Sequence, residues 1–208
     1  MSCRLHLPSC LRRAKFVHDE CAAQIVEFAV ALPLLVVFVV GIFDFSTAFT
    51  FKQRLTGMAR DAAHVAATEP SGDVSQGTLI PVSVLDVFQI VDNYLLANNV
   101  NDCGLSGTPP PPTNSGLTWT FTANGNGCPS AGITIIINRG YYFPATGTTV
   151  APPTCLSRSP GTQVAVVGTC VSIQYPYPWK FGRAASLIGS NYTLPAQISA
   201  VGVAMNED

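Results

Sequence analysis

Charged residues are scarce in this chain of 208 residues, since Asp, Glu, Lys and Arg together make up 11% of it, against about 25% in an ordinary soluble domain. Their place is taken by Thr, Ser, Asn, Gly and Pro, a composition common in exported proteins that are rich in strands. The formal net charge is -1, so the chain lacks the basic surface that binds nucleic acid. We therefore expect no nucleic acid among its partners.

Residues that carry catalysis or bind metals are scarce as well. The chain has three histidines, and two of them, His6 and His18, precede a long apolar run, which leaves His64 after it. One histidine makes neither a catalytic triad with partners on that side of the run nor a His-rich metal site, and we expect His64 on a helix surface. There is no CxxC pair, Gly-rich phosphate loop, paired-carboxylate pattern or GxSxG. The sequence thus predicts no enzyme, no cofactor and no metal site.

The apolar run itself is Phe28–Phe43, 16 residues long, where a membrane span needs about 20. Extension back to Cys21 gives 23 residues, or about 34 Å of helix, and includes Glu27. Pro33 lies one turn inside the run and could kink the helix. The run is too long for a secretory signal peptide, and no small-x-small cleavage site follows it. A basic leader precedes it and predicts a single-pass protein with a cytoplasmic N-terminus: Arg4, Arg12, Arg13 and Lys15.

Beyond the run, the helix is predicted to continue as an amphipathic segment. Apolar residues recur there at steps of four, three, four and three, which makes one stripe along the helix: Phe51, Leu55, Met58, Ala62 and Val65. Glu69-Pro70-Ser71-Gly72 is expected to end it. A second helix is predicted from Pro81 to about Ala97, with Asn98-Asn99 as its stop.

The remainder predicts strands and loops. Alternating or β-branched patterns predict four strands: Leu117–Thr122, Ile133–Asn138, Gln163–Tyr175 and Leu194–Met205. Gly168 is a candidate position for a bulge in the third. Residues 104–116, which include four consecutive prolines, predict a stiff irregular loop. The predicted fold class is α+β, with a small antiparallel sheet packed on the outer half of a long N-terminal helix.

Seven cysteines fall on either side of the apolar run. Cys3, Cys10 and Cys21 precede it, and four follow it: Cys103, Cys128, Cys155 and Cys170. An even number on the outer side predicts two disulfides in an oxidising compartment. Three pairings are possible, and we favour Cys103–Cys128 with Cys155–Cys170 because each closes a local loop. Four free buried thiols in a cytosolic protein are the alternative.

The segment Ala22-Ala-Gln-Ile-Val-Glu-Phe-Ala-Val-Ala-Leu-Pro-Leu-Leu, with Gly41-Ile-Phe-Asp-Phe-Ser after it, resembles the N-terminus of TadE-like proteins. These are minor pseudopilins of the Tad (Flp, type IVc) pilus. Val171-Ser-Ile-Gln-Tyr-Pro-Tyr and Ala204-Met-Asn-Glu207 are similar to the closing strands of the family. The resemblance implies a pilin-like fold and a leader, residues 1–22, that a prepilin peptidase removes between Ala22 and Ala23. A transmembrane segment, 23–43, an amphipathic continuation, 44–69, and an extracytoplasmic domain, 70–208, would follow.

The resemblance implies a non-catalytic pilus assembly component in the inner membrane, with its C-terminal domain periplasmic or extracellular. Its expected partners are the prepilin peptidase, other pilins or minor pseudopilins, the inner-membrane assembly platform and the lipid bilayer. Glu27, five residues into the mature chain, would pair with the α-amine of Ala23 in the same or a neighbouring subunit, or simply reach the headgroups. Asp44 either marks the outer interface or pairs with a neighbour's cation.

A membrane-tethered extracytoplasmic binding module remains the alternative. In that case the Pro-rich loop, or the aromatic side chains on the strands, would contact a ligand: Trp119, Tyr175, Tyr177 and Trp179. Such aromatics are more often packed in a core or at a sheet edge. The N-terminus separates the two functions, because a tethered module would keep its first 22 residues.

Overall fold

In the computed structural model, the first described element is a helix of 58 residues, α1 (Leu11–Thr68), which continues through Pro33. The structure describes residues 11–75, 80–106, 109–129, 132–143, 155, 167–182 and 194–207, with side chains from Gln24 onward. The helix ends at Thr68 because Pro70 cannot continue it, as the sequence predicted. A 3-10 turn (Ser71–Ser75) follows, and then α2 (Val82–Ala97).

The chain divides into two compact units. The helix unit comprises residues 1–45 and 179–193, and the sheet unit comprises residues 46–178 and 194–208. Helix α1 therefore contributes its first part to one unit and Ser46–Thr68 to the other.

The sheet unit contains one antiparallel sheet in the order β1-β2-β3-β4-β5, so each strand pairs with the next along the chain. Its strands are β1 (Thr113–Ser115), β2 (Thr118–Ala123), β3 (Ile133–Tyr142), β4 (Val167–Pro176) and β5 (Gln197–Met205). The predicted α+β class, with a long apolar N-terminal helix and an antiparallel sheet, is confirmed.

The core of the sheet unit lies on one face of this sheet. Side chains opposite one another across the strands form apolar rows there, for example Phe121, Ile135, Ile173 and Ala200, all buried. Both helices cover this face. Phe88 of α2 contacts the ring of Phe121 with centroids 5.0 Å apart, and Gly202 of β5 lies directly on the backbone of α1 at Ala59.

Several details differ from the predictions, among them the start of the last strand, which is Gln197 rather than Leu194. The Pro-rich segment 104–116 is not wholly irregular, because Thr113–Ser115 form β1 at the sheet edge, where a run of prolines is tolerated. Strand β3 extends four residues beyond the predicted Asn138. The register shift lies in β3, between Asn138 and Tyr141, rather than at Gly168. Residues 163–166 of the predicted third strand lie outside the described residues.

Candidate functional site

The first part of α1 presents large apolar side chains to its surroundings. Most side chains between Gln24 and Phe43 are exposed, and those of Phe28, Phe38 and Phe43 are each more than 60% exposed. The helix from Gln24 is long and apolar enough to cross a membrane, and its most apolar part is largely exposed. A core helix of a soluble protein would be mostly buried. The exposed apolar surface therefore fits a membrane-spanning helix.

Glu27 lies at the start of this surface and is itself exposed. Ala22 and Ala23, the residues on either side of the expected cleavage, lie within α1. The structure describes their backbone but not their side chains. From Ala23 to Glu27 is about 6 Å along a helix, which is one turn. The predicted pairing of Glu27 with a free amine at Ala23 stays a prediction.

Asp44 lies at the other end of the apolar surface and is buried. Both predicted roles, an interface marker and a partner for a neighbour's cation, stay predictions, and Asp44 also makes contacts that the sequence did not indicate. Its Oδ2 accepts hydrogen bonds from the backbone N–H groups of Lys180 and Phe181, each 2.8 Å long. A buried carboxylate is costly unless it is hydrogen-bonded, and these two donors offset that cost. The sequence reasoning missed this role, because the two donors lie more than 130 residues away along the chain.

The predicted packing stripe lies on the second part of α1, in the sheet unit. Leu55, Met58 and Ala62 are fully buried, and Phe51 meets Tyr175 edge-on with ring centroids 5.1 Å apart. Val65 is 36% exposed. It lies at the margin of the buried face, since neighbouring residues on a helix point about 100° apart and Ala66 is at the centre of that face. Small residues complete the buried face: Ala59, Ala63, Ala66 and Ala67.

A buried polar network around Arg139 joins the end of α1 to the sheet. Arg139 lies within the register shift of β3. Its Nη2 donates to the backbone carbonyl of Glu69 at 2.8 Å, and its Nη1 donates to Thr169 Oγ1 at 3.0 Å. Thr169 in turn donates to Asn206 Oδ1 at 2.8 Å. A helix leaves its last carbonyls without partners inside the helix, so the guanidinium stabilises the C-terminus of α1. The Arg139-Gly140 pair directly after the β-branched run Ile133–Asn138 was a sequence signal for it.

Two disulfides lie in the sheet unit, and they join the pairs that the sequence favoured. Cys103 bonds Cys128, and Cys155 bonds Cys170. Cys155 and Cys170 pack with Tyr141 on the side of the sheet away from the helices, in a small apolar cluster.

Asp102, beside Cys103, holds the loop after α2. Its carboxylate accepts hydrogen bonds from the backbone N–H groups of Gly104 and Ser106 and from Asn126 Nδ2. Hydrogen bonding, above all from the side chain of Ser106, lowers the pKa of Asp102 to about 2, against the opposing effect of burial. Burial and the charge of Asp102 raise the pKa of Asp92. Asp102 therefore holds this loop in place through its ionised carboxylate.

Two of the four aromatic side chains that a binding module would use are packed in the sheet unit. Trp119 and Tyr175 are buried, and the hydroxyl of Tyr175 donates to the backbone carbonyl of Asn101 at 2.8 Å. His64 is exposed on α1. Within the described part of the chain, no group of three or more His, Cys, Asp or Glu residues could hold a metal ion.

These features define an α+β protein whose described residues include one candidate membrane-spanning helix and a disulfide-bonded antiparallel sheet. Residues 22–64 match the family model described as TadE-like protein, which confirms the resemblance seen in the sequence. The match is to a family of pilus components, not of known enzymes, and it suggests a component associated with the Tad pilus. It covers most of α1 and none of the sheet. Searches of curated proteins and of solved structures find no match.

Proposed function

We propose that this protein is a minor pseudopilin of a Tad (Flp, type IVc) pilus, which acts in pilus assembly by helix packing and not by catalysis. The observation that carries the proposal is the TadE-like match over residues 22–64, because it coincides with an exposed apolar helix that begins next to Glu27. The helix lies in the inner membrane with its N-terminus in the cytoplasm, and the disulfide-bonded sheet lies in the periplasm. The disulfides support the second placement, since they persist in oxidising compartments.

A prepilin peptidase cuts the leader between Ala22 and Ala23, so that Glu27 becomes the fifth residue of the mature chain. N-terminal sequencing of protein isolated from a host with its pilus peptidase should then begin at Ala23. A chain that begins at Met1 would favour the membrane-tethered binding module, which keeps its first 22 residues. A start after Phe43 would mean that the apolar run is itself removed.

The role assigned to Glu27 is to pair with the α-amine of a mature subunit in a setting of low dielectric, where an unpaired charge is costly. The apolar run inserts without it, since removal of a charge from a membrane helix makes insertion easier. Glu27→Ala should therefore accumulate in the membrane with its disulfides formed, yet fail to co-purify with pilins or minor pseudopilins and fail to support pili. Glu27→Asp should be intermediate, because its charge stays while its reach shortens by one methylene.

Gln24→Ala is the matched control, because Gln24 is also exposed and lies one turn before Glu27. It should assemble as the wild type does. Membrane abundance and partner pull-down together decide the role. Wild-type pull-down by Glu27→Ala would reduce Glu27 to an interfacial residue, and loss of the variant from the membrane would assign it to insertion or stability.

A further inference from the structure

A short segment of the helix unit, Trp179–Phe181, is held against the last turn of the apolar run. Asp44 accepts hydrogen bonds from the backbone N–H groups of Lys180 and Phe181. Gly41 makes room for the aromatic ring, because a Cβ there would come within 2.9 Å of the Phe181 ring. Phe45 contacts both neighbouring rings, with centroids 5.4 Å from Trp179 and 5.7 Å from Phe181. The segment is therefore fixed on α1 by polar and aromatic contacts at once.

The position of this segment along α1 is that of a membrane interface. Glu27 and Asp44 bracket the apolar run, and 17 residues of helix separate them by about 26 Å, close to the hydrocarbon thickness of about 30 Å. The aromatic cluster around Phe45 lies where the run ends. Tryptophan is enriched at this depth in membrane proteins, because its ring is apolar and its N–H is polar.

The charge and exposure of the segment match the same environment. Lys180 is exposed between the two aromatic residues, and a lysine with an apolar stem reaches from the interface to lipid phosphates. Phe43, just before Asp44, is 70% exposed and continues the apolar surface up to the cluster. The other tryptophan, Trp119, does not share these features, because it is buried in the sheet unit.

We propose that Trp179–Phe181 is a lipid-binding element that sits at the boundary between headgroups and acyl chains of the outer leaflet and sets the depth of α1. Its partner is the phospholipid bilayer, with Trp179 and Phe181 among the upper acyl chains and Lys180 at the phosphates. Asp44 is a positioning residue, because it acts through the two N–H groups that it binds. The proposal rests on the membrane insertion stated under the proposed function, and it adds that a segment distant in sequence completes the anchor.

Depth-resolved tryptophan quenching tests this in the full chain, reconstituted in vesicles of phosphatidylcholine and phosphatidylglycerol with bromine at defined acyl positions. Trp119→Phe leaves Trp179 as the single tryptophan. Its emission should be shifted to the blue, quenched most by shallow bromines and protected from aqueous iodide. Trp179→Phe is the matched control, and its remaining Trp119 should be quenched by neither.

A third tryptophan reporter distinguishes two outcomes. In one, Trp179–Phe181 does not contact lipid, and in the other, α1 does not insert in the membrane. Phe38→Trp, with both native tryptophans replaced by Phe, places a tryptophan at an exposed site inside the apolar run, where deep bromines should quench it. If this reporter is quenched and Trp179 is not, the lipid-binding element is refuted while membrane insertion stands. If neither is quenched, insertion itself fails and the element with it. Protection of Trp179 from both iodide and bromines would show that a protein surface covers it, and would also refute the element.

The role of Asp44 is tested in the same single-tryptophan chain. Asp44→Ala removes the acceptor for both N–H groups and should move Trp179 towards iodide, with weaker quenching by bromines. Asp44→Asn keeps a carbonyl oxygen as acceptor and should restore most of the protection. Thiol labelling, which reports the disulfides of the sheet unit, should be unchanged in both variants. Unchanged quenching of Trp179 in Asp44→Ala would refute the positioning role.

Discussion

Gly202 of β5 lies against the backbone of α1, and its replacement by alanine should be strongly destabilising. A Cβ at this position would overlap the carbonyl group of Ala59 and the amide nitrogen of Arg60. These are backbone atoms in the interior of a helix, so no side chain can rotate aside. Either β5 or α1 must move away from the other, and either movement exposes the alanines that line their contact.

The magnitude follows from what overpacking costs in other cores. Extra methyl groups in a well-packed core cost about 1–3 kcal/mol, and a contact to rigid backbone places Gly202→Ala near the upper figure, about 3 kcal/mol. With a urea dependence of about 2 kcal/mol per molar, the midpoint of unfolding should fall by about 1.5 M. Trp119 reports the transition, because its buried ring becomes exposed when the sheet unit unfolds.

Gly57→Ala is the matched control, with the opposite sign expected. Gly57 is also on α1, and a Cβ there would meet nothing within 4 Å. Because alanine favours a helix interior over glycine, this variant should be more stable by about 0.5–1 kcal/mol. Urea unfolding of the full chain in detergent, followed by the emission of Trp119, measures the stability of both variants. A Gly202→Ala midpoint equal to that of the wild type would refute the close packing of β5 on α1.

Other contacts of the sheet unit give three more predictions. Leu55→Ala should cost about 2–5 kcal/mol because Leu55 is fully buried, whereas Val65→Ala on the exposed margin should cost under about 1 kcal/mol by the same urea assay. Loss of the Cys103–Cys128 bridge, which closes 25 residues, should cost about 3.5 kcal/mol, and thiol labelling of the denatured, unreduced wild type should find neither cysteine free. The lowered pKa of Asp102 contributes about 2 kcal/mol to the free energy of unfolding at pH values above its unfolded pKa of 3.8, and this contribution is lost as the pH falls through about 2. The stability of Asp102→Asn should therefore depend less on pH between these two values. A pH profile equal to that of the wild type would contradict the assignment.

The sequence predicted the elements whose pattern is local. The stop at Glu69-Pro70 and the apolar spacing after Pro81 placed the end of α1 and the bounds of α2 within one residue. Alternation and β-branched runs located β2 and the start of β3. Such patterns are readable because burial on one side of a helix or strand repeats with a fixed period.

Contacts between distant segments could not be read in this way. The bonds of Asp44 to Lys180 and of Arg139 to Glu69 join residues that no local pattern relates. The register shift at Arg139 depends on how β3 pairs with β4, and a bulge is a property of the pair rather than of either strand. The strand β1 was missed because prolines normally argue against strands, except at an edge.

The predicted stripe followed the spacing of apolar residues and left out most of the alanines beside it. Leu55 and Met58 of the stripe are fully buried, but so are Ala59 and Ala66, while Val65 lies at the margin. Phe28 and Phe38 are exposed, whereas Ala59 and Ala66 are fully buried. Where a sheet touches the helix backbone, as β5 does at Gly202, small side chains fit beside the contact. Under the proposed membrane insertion, the first part of α1 packs against lipid tails, which accept bulky apolar side chains, and the second part packs against a sheet. The change from phenylalanine to alanine along α1 is the sequence signal that distinguishes the two parts.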